Sequence, residues 1–205
     1  MTNDKKYLIV GLGNVGSEYT GTRHNYGFEV AHAFAQSLGA DFKSERLGYV
    51  ARASFKGRQI VILMPTTYMN LSGKAVKYWL ANENVPVENC MVVFDDLDLP
   101  LGVFRIRPKG GGGSHNGITN IIEELGHSNV PRMRCGIGKD YAQGYQTEYV
   151  LGKFSSKELE IVDETIKRAV EALKSFVTAG MQRTMNQFNT VENESVKINQ
   201  DKTQE

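Results

Sequence analysis

Tyr7–Gly16, YLIVGLGNVG, is the stretch from which the architecture can be read. A short, unbroken apolar run stopped by glycines suits a strand buried on both faces, as in a parallel sheet covered by helices. Two further runs have the same character: Gln59–Met64 (QIVILM), stopped by Pro65, and Cys90–Phe94 (CMVVF). Between them the pattern switches to a helical period. Phe28, Ala31, Phe34, Ala35 and Leu38 share one face of a helix over Arg23–Leu38 closed by Gly39, and Ala75, Val76, Trp79 and Leu80 mark another, capped by Ser72 and running to about Asn82. Strands separated by helices predict an α/β fold: a single three-layer domain with a mixed, mostly parallel sheet and helices on both faces.

Working outward, Tyr49–Phe55 alternates and turns through Gly57-Arg58 into Gln59–Met64, a hairpin. Val103–Arg107 and Arg132–Gly138 complete the expected strands, and Ile118–Leu125, closed by Gly126, reads as a short helix. A Ser155-x-x-Glu158 capping box opens the longest helix, whose apolar face runs through Leu159, Val162, Ile166, Ala169, Leu173 and Phe176. From about Thr190 the chain turns polar, so the domain is expected over residues 1–189 and a disordered tail over 190–205.

Composition bounds the function. The chain has 205 residues, 40% of them hydrophobic, and a formal net charge of +1, so no global field draws it to polyanions and any such site must be a local patch. The two cysteines, Cys90 and Cys135, sit in apolar runs, which fits reduced thiols and a cytoplasmic protein. No segment reaches the roughly 20 apolar residues of a membrane span, and no signal-like region opens the chain.

Gly11-Leu-Gly13-Asn-Val-Gly16 matches the dinucleotide fingerprint G-x-G-x-x-G, but Ser17–Thr22 does not open a helix and no acid follows at the expected distance. A turn delivering Asn14 and Tyr19 to the carboxyl edge of the first strand is the better reading, and a nucleotide-binding oxidoreductase ranks last. That edge also receives Asp95-Asp96-Leu97-Asp98, the usual location of ligands in such sheets. Close by in sequence, Lys109–Gly117 (KGGGGSHNG) offers backbone freedom and close approach to a ligand.

Of four histidines, His32 fits a packed or surface role and His127 follows a helix-ending glycine. His24 lies among Thr22, Arg23 and Asn25, a polar cluster with no packing purpose, and is the candidate base. Asp95 could fix its tautomer and raise its basicity; the alternative is that Asp95, Asp96 and Asp98 form a solvated turn. No adjacent His or Glu completes a metal ligand set around these acids, so neither metal nor cofactor is expected. Ser114 beside His115 lacks the nucleophile-elbow context, which leaves a histidine activating water directly as the simplest hydrolytic scheme. Arg105 with Arg107, and Arg132 with Arg134, alternate along strands and can form a basic patch or a solvated face.

Four motifs in order, GLGNVGSEYTGTRHNYGF, PTTYMNLSGKAV, DDLDLPLG and GGGGSHNG, resemble bacterial-type peptidyl-tRNA hydrolases over roughly Tyr7–Asn189. The resemblance implies cleavage of the ester between a peptide and the terminal ribose of tRNA. It carries the base onto His24 and its supporting acid onto Asp95. Substrate-positioning asparagines fall on Asn14, Asn70 and Asn116. Cleft-lining residues fall on Met69 and His115, the rim tyrosine on Tyr19, and the grip on the tRNA terminal phosphate on Arg107 and Arg134. It also implies a monomer working on the acceptor stem and CCA end of tRNA, with the glycine loop as a mobile wall. The family's GNPG reads GNVG here, which loosens the turn holding Asn14. The alternative is a non-catalytic RNA-binding protein on the same fold, against which His24 and Asp95 both argue.

Overall fold

The computed structural model describes residues 5–189. In chain order its elements are β1 (Lys6–Gly11), α1 (Tyr26–Ser37), β2 (Lys43–Glu45), β3 (Gly48–Phe55), β4 (Arg58–Pro65), α2 (Ser72–Asn82), β5 (Cys90–Asp96), β6 (Phe104–Arg107), α3 (Asn116–Leu125), β7 (Arg132–Gly136), α4 (Gln146–Val150), α5 (Ser156–Ala179) and α6 (Met181–Phe188). The strands form one sheet in the order β2-β3-β4-β1-β5-β7-β6, with β1 at its centre as its unbroken apolar run requires. β4, β1, β5 and β7 pair in parallel; β2 and β3 on one flank and β6 on the other pair antiparallel, so the sheet is mixed and mostly parallel. The tail expected over 190–205 lies outside the described residues.

Alternation along the strands divides the core. Ile9, Ile62, Met91 and Val93 face α1 and α5 through Phe34, Leu173 and Phe176, whereas Leu8, Val10, Leu63 and Val92 face α2 and α3 through Val76, Trp79, Ile118 and Ile121. The buried Trp79 indole donates to the Arg46 carbonyl at 2.9 Å, which satisfies its one polar atom. The Ser155–Glu158 capping box forms as the sequence predicts and starts α5. No helix among the described residues is long and apolar enough to cross a membrane.

One contact does most to build the functional edge of the sheet. A Cβ on Gly27 would lie 2.3 Å from the Val93 carbonyl oxygen, and one on Gly11 would lie 2.1 Å from the Gly27 oxygen. Two glycines therefore let the start of α1 press onto the ends of β1 and β5. The turn that precedes α1 is thereby set against the acids that end β5.

Several local expectations change. Arg23–Asn25 is a separate 3-10 turn and α1 begins at Tyr26, because Asn25 departs from helical ψ and commits its side chain to Asn14. His24 thus precedes the helix instead of lying in its first turn. Ser72 is the first residue of α2, and its hydroxyl donates to the Met69 carbonyl at 2.7 Å instead of capping the helix. As expected from the sequence, Gly16 leads into a short 3-10 turn over Ser17–Tyr19 and not into the α-helix that a dinucleotide fingerprint requires. Three elements were not foreseen: the three-residue edge strand β2, the short α4, and α6, whose Met181, Met185 and Phe188 pack on the core. Just after α6, the Asn189 carboxamide bonds both the N–H and the carbonyl of Ile106 at 2.9 Å, imitating a strand at the edge of β6.

Candidate active site

At the carboxyl edge of the sheet lies a cleft of about 550 Å³. β5 delivers Asp95 to its floor, the Arg23–Asn25 turn delivers His24, and the N-terminus of α3 delivers His115 and Asn116. The Asp95 carboxylate is almost fully buried, and His24 Nδ1 lies 3.0 and 3.1 Å from its two oxygens. A carboxylate only accepts, so this ring nitrogen carries the proton. His24 is left with Nε2 as a lone-pair nitrogen on the cleft side.

A second imidazole shares the same acid: His115 Nε2 lies 3.0 Å from Asp95 Oδ1. Its other nitrogen, Nδ1, accepts the Gly117 N–H at 3.1 Å, so the ring serves as the N-cap of α3. An accepting Nδ1 leaves the proton on Nε2, which donates to Asp95. Asp95 therefore receives N–H bonds from two imidazoles. Burial alone would raise its pKa, but His115 and His24 outweigh that and hold the carboxyl well below the usual carboxylate range. For His24, burial acts downward, and the hydrogen bond and charge of Asp95 overcome it, so the imidazole pKa is raised above 6.5. One ligand atom from each of these three residues lies within 4.8 Å of the others, a grouping that could also hold a cation. In the hydrogen bonds described above, His24 Nδ1 and His115 Nε2 are both turned onto Asp95.

Asn14 is fixed despite the missing proline. Its N–H donates to Asn25 Oδ1 at 2.8 Å, and Asn25 Nδ2 donates back to its carbonyl at 3.0 Å. A buried side chain beside His24 thus holds the turn that the sequence left loose.

The glycine loop is tied down by a buried arginine. Arg132 is buried and donates to the carbonyls of Val130 at 2.9 Å, Gly111 at 2.8 Å and Ser128 at 3.1 Å. It is a clasp for the loop and not part of an exposed basic patch, which corrects the strand-pattern reading. Cross-strand pairing places Arg107 opposite Arg132 and Arg105 opposite Arg134. Arg107 is exposed, while Arg134 is half-buried with Nε on the Asp96 carboxylate. At Gly112 a Cβ would lie 2.0 Å from Thr119 Oγ1, so the loop packs directly on α3.

Of the residues singled out from sequence, His24, Asp95, Asn14, His115, Asn116, Arg107 and Arg134 line this cleft. Tyr19, Met69 and Asn70 do not. Tyr19 supports the adjoining turn through its carbonyl, which accepts the Thr22 hydroxyl at 2.8 Å. Met69 is buried behind the site, where its sulfur would lie 2.6 Å from a Cβ on Gly117, and Asn70 is exposed beside it. The sequence reading placed Asn25 in the polar cluster but missed that it holds Asn14, and it missed the clasp function of Arg132 and α4, whose Gln146, Thr147 and Val150 also line the cleft. Asn25 and Arg132 carried a signal, since both are polar residues next to motif positions; the five residues of α4 carried none.

Comparison with known proteins agrees with this geometry. The family model described as "Peptidyl-tRNA hydrolase" matches residues 8–197. A peptidyl-tRNA hydrolase of Parabacteroides distasonis is 53% identical over 184 residues, covering 90% of this chain and 98% of that protein. One from Porphyromonas gingivalis is 50% identical, covering 90% of this chain and 100% of its own length. The crystal structure of peptidyl-tRNA hydrolase from Acinetobacter baumannii superposes with a TM-score of 0.86 at 35% identity, covering 91% of this chain and 96% of that one. A buried carboxylate shared by two imidazoles, set between a glycine loop and an asparagine turn, thus occurs in a chain that belongs to the peptidyl-tRNA hydrolase family.

Proposed function

We propose that this protein hydrolyses the ester bond of peptidyl-tRNA to give free peptide and tRNA, with His24 as general base and no metal. The observation that carries the mechanism is the His24–Asp95–His115 cluster, which leaves a single imidazole nitrogen for the cleft. His24 Nε2 takes a proton from water as the water oxygen attacks the ester carbonyl carbon. The Asp95 carboxylate stabilises the imidazolium that forms. The tetrahedral oxyanion is held by amide donors, a role that the Asn116 side chain lining the same cleft could take. Collapse breaks the bond to the ribose oxygen, which leaves with the proton returned by His24. Products are a peptide carboxylic acid, which ionises, and tRNA with a free terminal hydroxyl.

The assignment of the two ends follows from charge. Arg107 and Lys109 on the glycine-loop side suit the terminal phosphates of the acceptor stem and CCA end, with Arg134 contributing the nitrogens not engaged by Asp96. Asn14, locked by Asn25, faces the peptide side, with Asn70 and Met69 behind and Tyr19 at the rim. The enzyme acts as a monomer in the cytoplasm. A cleft that hydrogen-bonds the first peptide amide would leave the ammonium of an unblocked aminoacyl ester unpaired and reject it. The test compares release of tRNA from N-acetyl-aminoacyl-tRNA with release from the unacetylated ester. Strong preference for the acetylated ester is expected; equal rates would overturn the substrate assignment.

A further inference from the structure

Arg23, the residue before the proposed base, is nearly buried, yet it does not line the cleft. Its guanidinium forks onto both oxygens of Glu158 at 3.0 and 3.1 Å. It also donates to the Lys153 carbonyl at 3.0 Å, and its Cζ lies 4.3 Å from the centre of the Tyr149 ring and 5.2 Å from that of Phe154. The backbone joins the same contact: the Arg23 N–H donates to the Gly152 carbonyl at 2.9 Å, and Thr22 bridges Lys153. Tyr149 belongs to α4, which turns Gln146, Thr147 and Val150 toward the cleft. The same Glu158 carboxylate also accepts the Ser155 N–H in the capping box of α5.

This charge-assisted bonding joins the base-bearing turn to the α4–α5 segment, of which α4 lines the cleft. We infer that Arg23 is a positioning residue that fixes the base-bearing turn and the α4 wall as one unit. It sets the distance between His24 and the part of the substrate lying against α4. The inference rests on the hydrolase reading above. Asn25 secures the other side of the same turn to Asn14, so His24 is held from both flanks. Arg's planar fork is the relevant feature: lysine would keep the charge but lose the bidentate contact with Glu158 and the stacking on Tyr149.

The test uses Arg23→Lys and, as a milder variant, Glu158→Gln, which keeps a side chain able to complete the capping box. Turnover of N-acetyl-aminoacyl-tRNA is measured across pH, together with the titration of the His24 imidazole by NMR. For Arg23→Lys, kcat is expected to fall at least tenfold and KM to rise, with the His24 midpoint moving down toward 6.5 as its bond to Asp95 loosens. Glu158→Gln should move kcat and the midpoint in the same direction by a smaller amount. If both variants melt at lower temperature but keep the wild-type kcat and His24 titration, Arg23 is only structural and the inference is overturned. If Arg23→Lys does not fold, an unmoved midpoint and kcat in Glu158→Gln alone overturn it. Wild-type protein that fails to cleave the ester at all would instead overturn the hydrolase reading.

Discussion

Replacing Asp95 with Asn isolates the arrangement on which the chemistry depends. The two side chains are nearly isosteric, so the buried floor of the cleft keeps its shape. The hydrogen-bond inventory changes, however. Asp95 accepts from both imidazoles, whereas Asn offers one accepting oxygen and a donating NH2. His115 Nδ1 is already committed to the Gly117 N–H, so its Nε2–H must keep the oxygen. The Asn NH2 is then directed at His24 Nδ1, which must become the acceptor. That places the His24 proton on Nε2, where the lone pair for water is needed. The substitution thus inverts the tautomer of the base and removes the charge that stabilises its imidazolium. General-base catalysis is typically worth about 10²–10⁴ in rate, and Asp95→Asn should remove about 10³, or roughly 4 kcal/mol of transition-state stabilisation. The assay is single-turnover release of tRNA from N-acetyl-aminoacyl-tRNA as a function of pH, with binding of uncharged tRNA measured separately. In the wild type the acid limb should inflect above 6.5, because activity needs the neutral imidazole and Asp95 raises its pKa. Any residual activity of Asp95→Asn should inflect at lower pH. A rate within about threefold of wild type, with an unmoved acid limb, would refute the reasoning, since such a loss is far below the general-base range.

Arg107→Ala should weaken tRNA binding and reduce the slope of log K against log salt by roughly 0.7–0.9, the loss of one phosphate contact; an unchanged slope in a salt titration counts against that role. Gly27→Ala drives a Cβ into the Val93 carbonyl oxygen and should cost at least the roughly 1–3 kcal/mol of an overpacked core, read by chemical denaturation. Arg132 reaches three carbonyls from three separate guanidinium nitrogens, a spread that the single nitrogen of lysine does not span, so in Arg132→Lys the 109–113 segment should gain amide exchange while tRNA binding weakens only modestly; unchanged exchange would show that the loop is held by other contacts.

Much of the fold could be read from the sequence because its signals are local. Buried parallel strands announce themselves as apolar runs, and the Ser155–Glu158 box fixes the start of α5. What could not be read is how polar side chains are shared between distant segments. Asp95 and His115 are twenty residues apart, and nothing in their spacing says that one carboxylate serves two rings or that the second ring also caps α3. Arg132 shows the opposite error. Alternation along β7 correctly puts it on the face of Arg134, but the glycine loop and the 128–130 segment engage its guanidinium, so a residue with the pattern of a patch is a buried clasp. The same limit explains Asn14: replacement of proline by Val15 suggested a looser turn, whereas the compensating bonds come from Asn25, eleven residues on.

The most direct measurement is turnover of His24→Ala on N-acetyl-aminoacyl-tRNA beside its affinity for tRNA. With the proposed base removed, turnover should fall by about 10³ or more while tRNA affinity stays within about twofold, because Arg107 and Arg134, the proposed phosphate contacts, are untouched. Substantial turnover by a folded, tRNA-binding His24→Ala protein would contradict the assignment of His24 as the base.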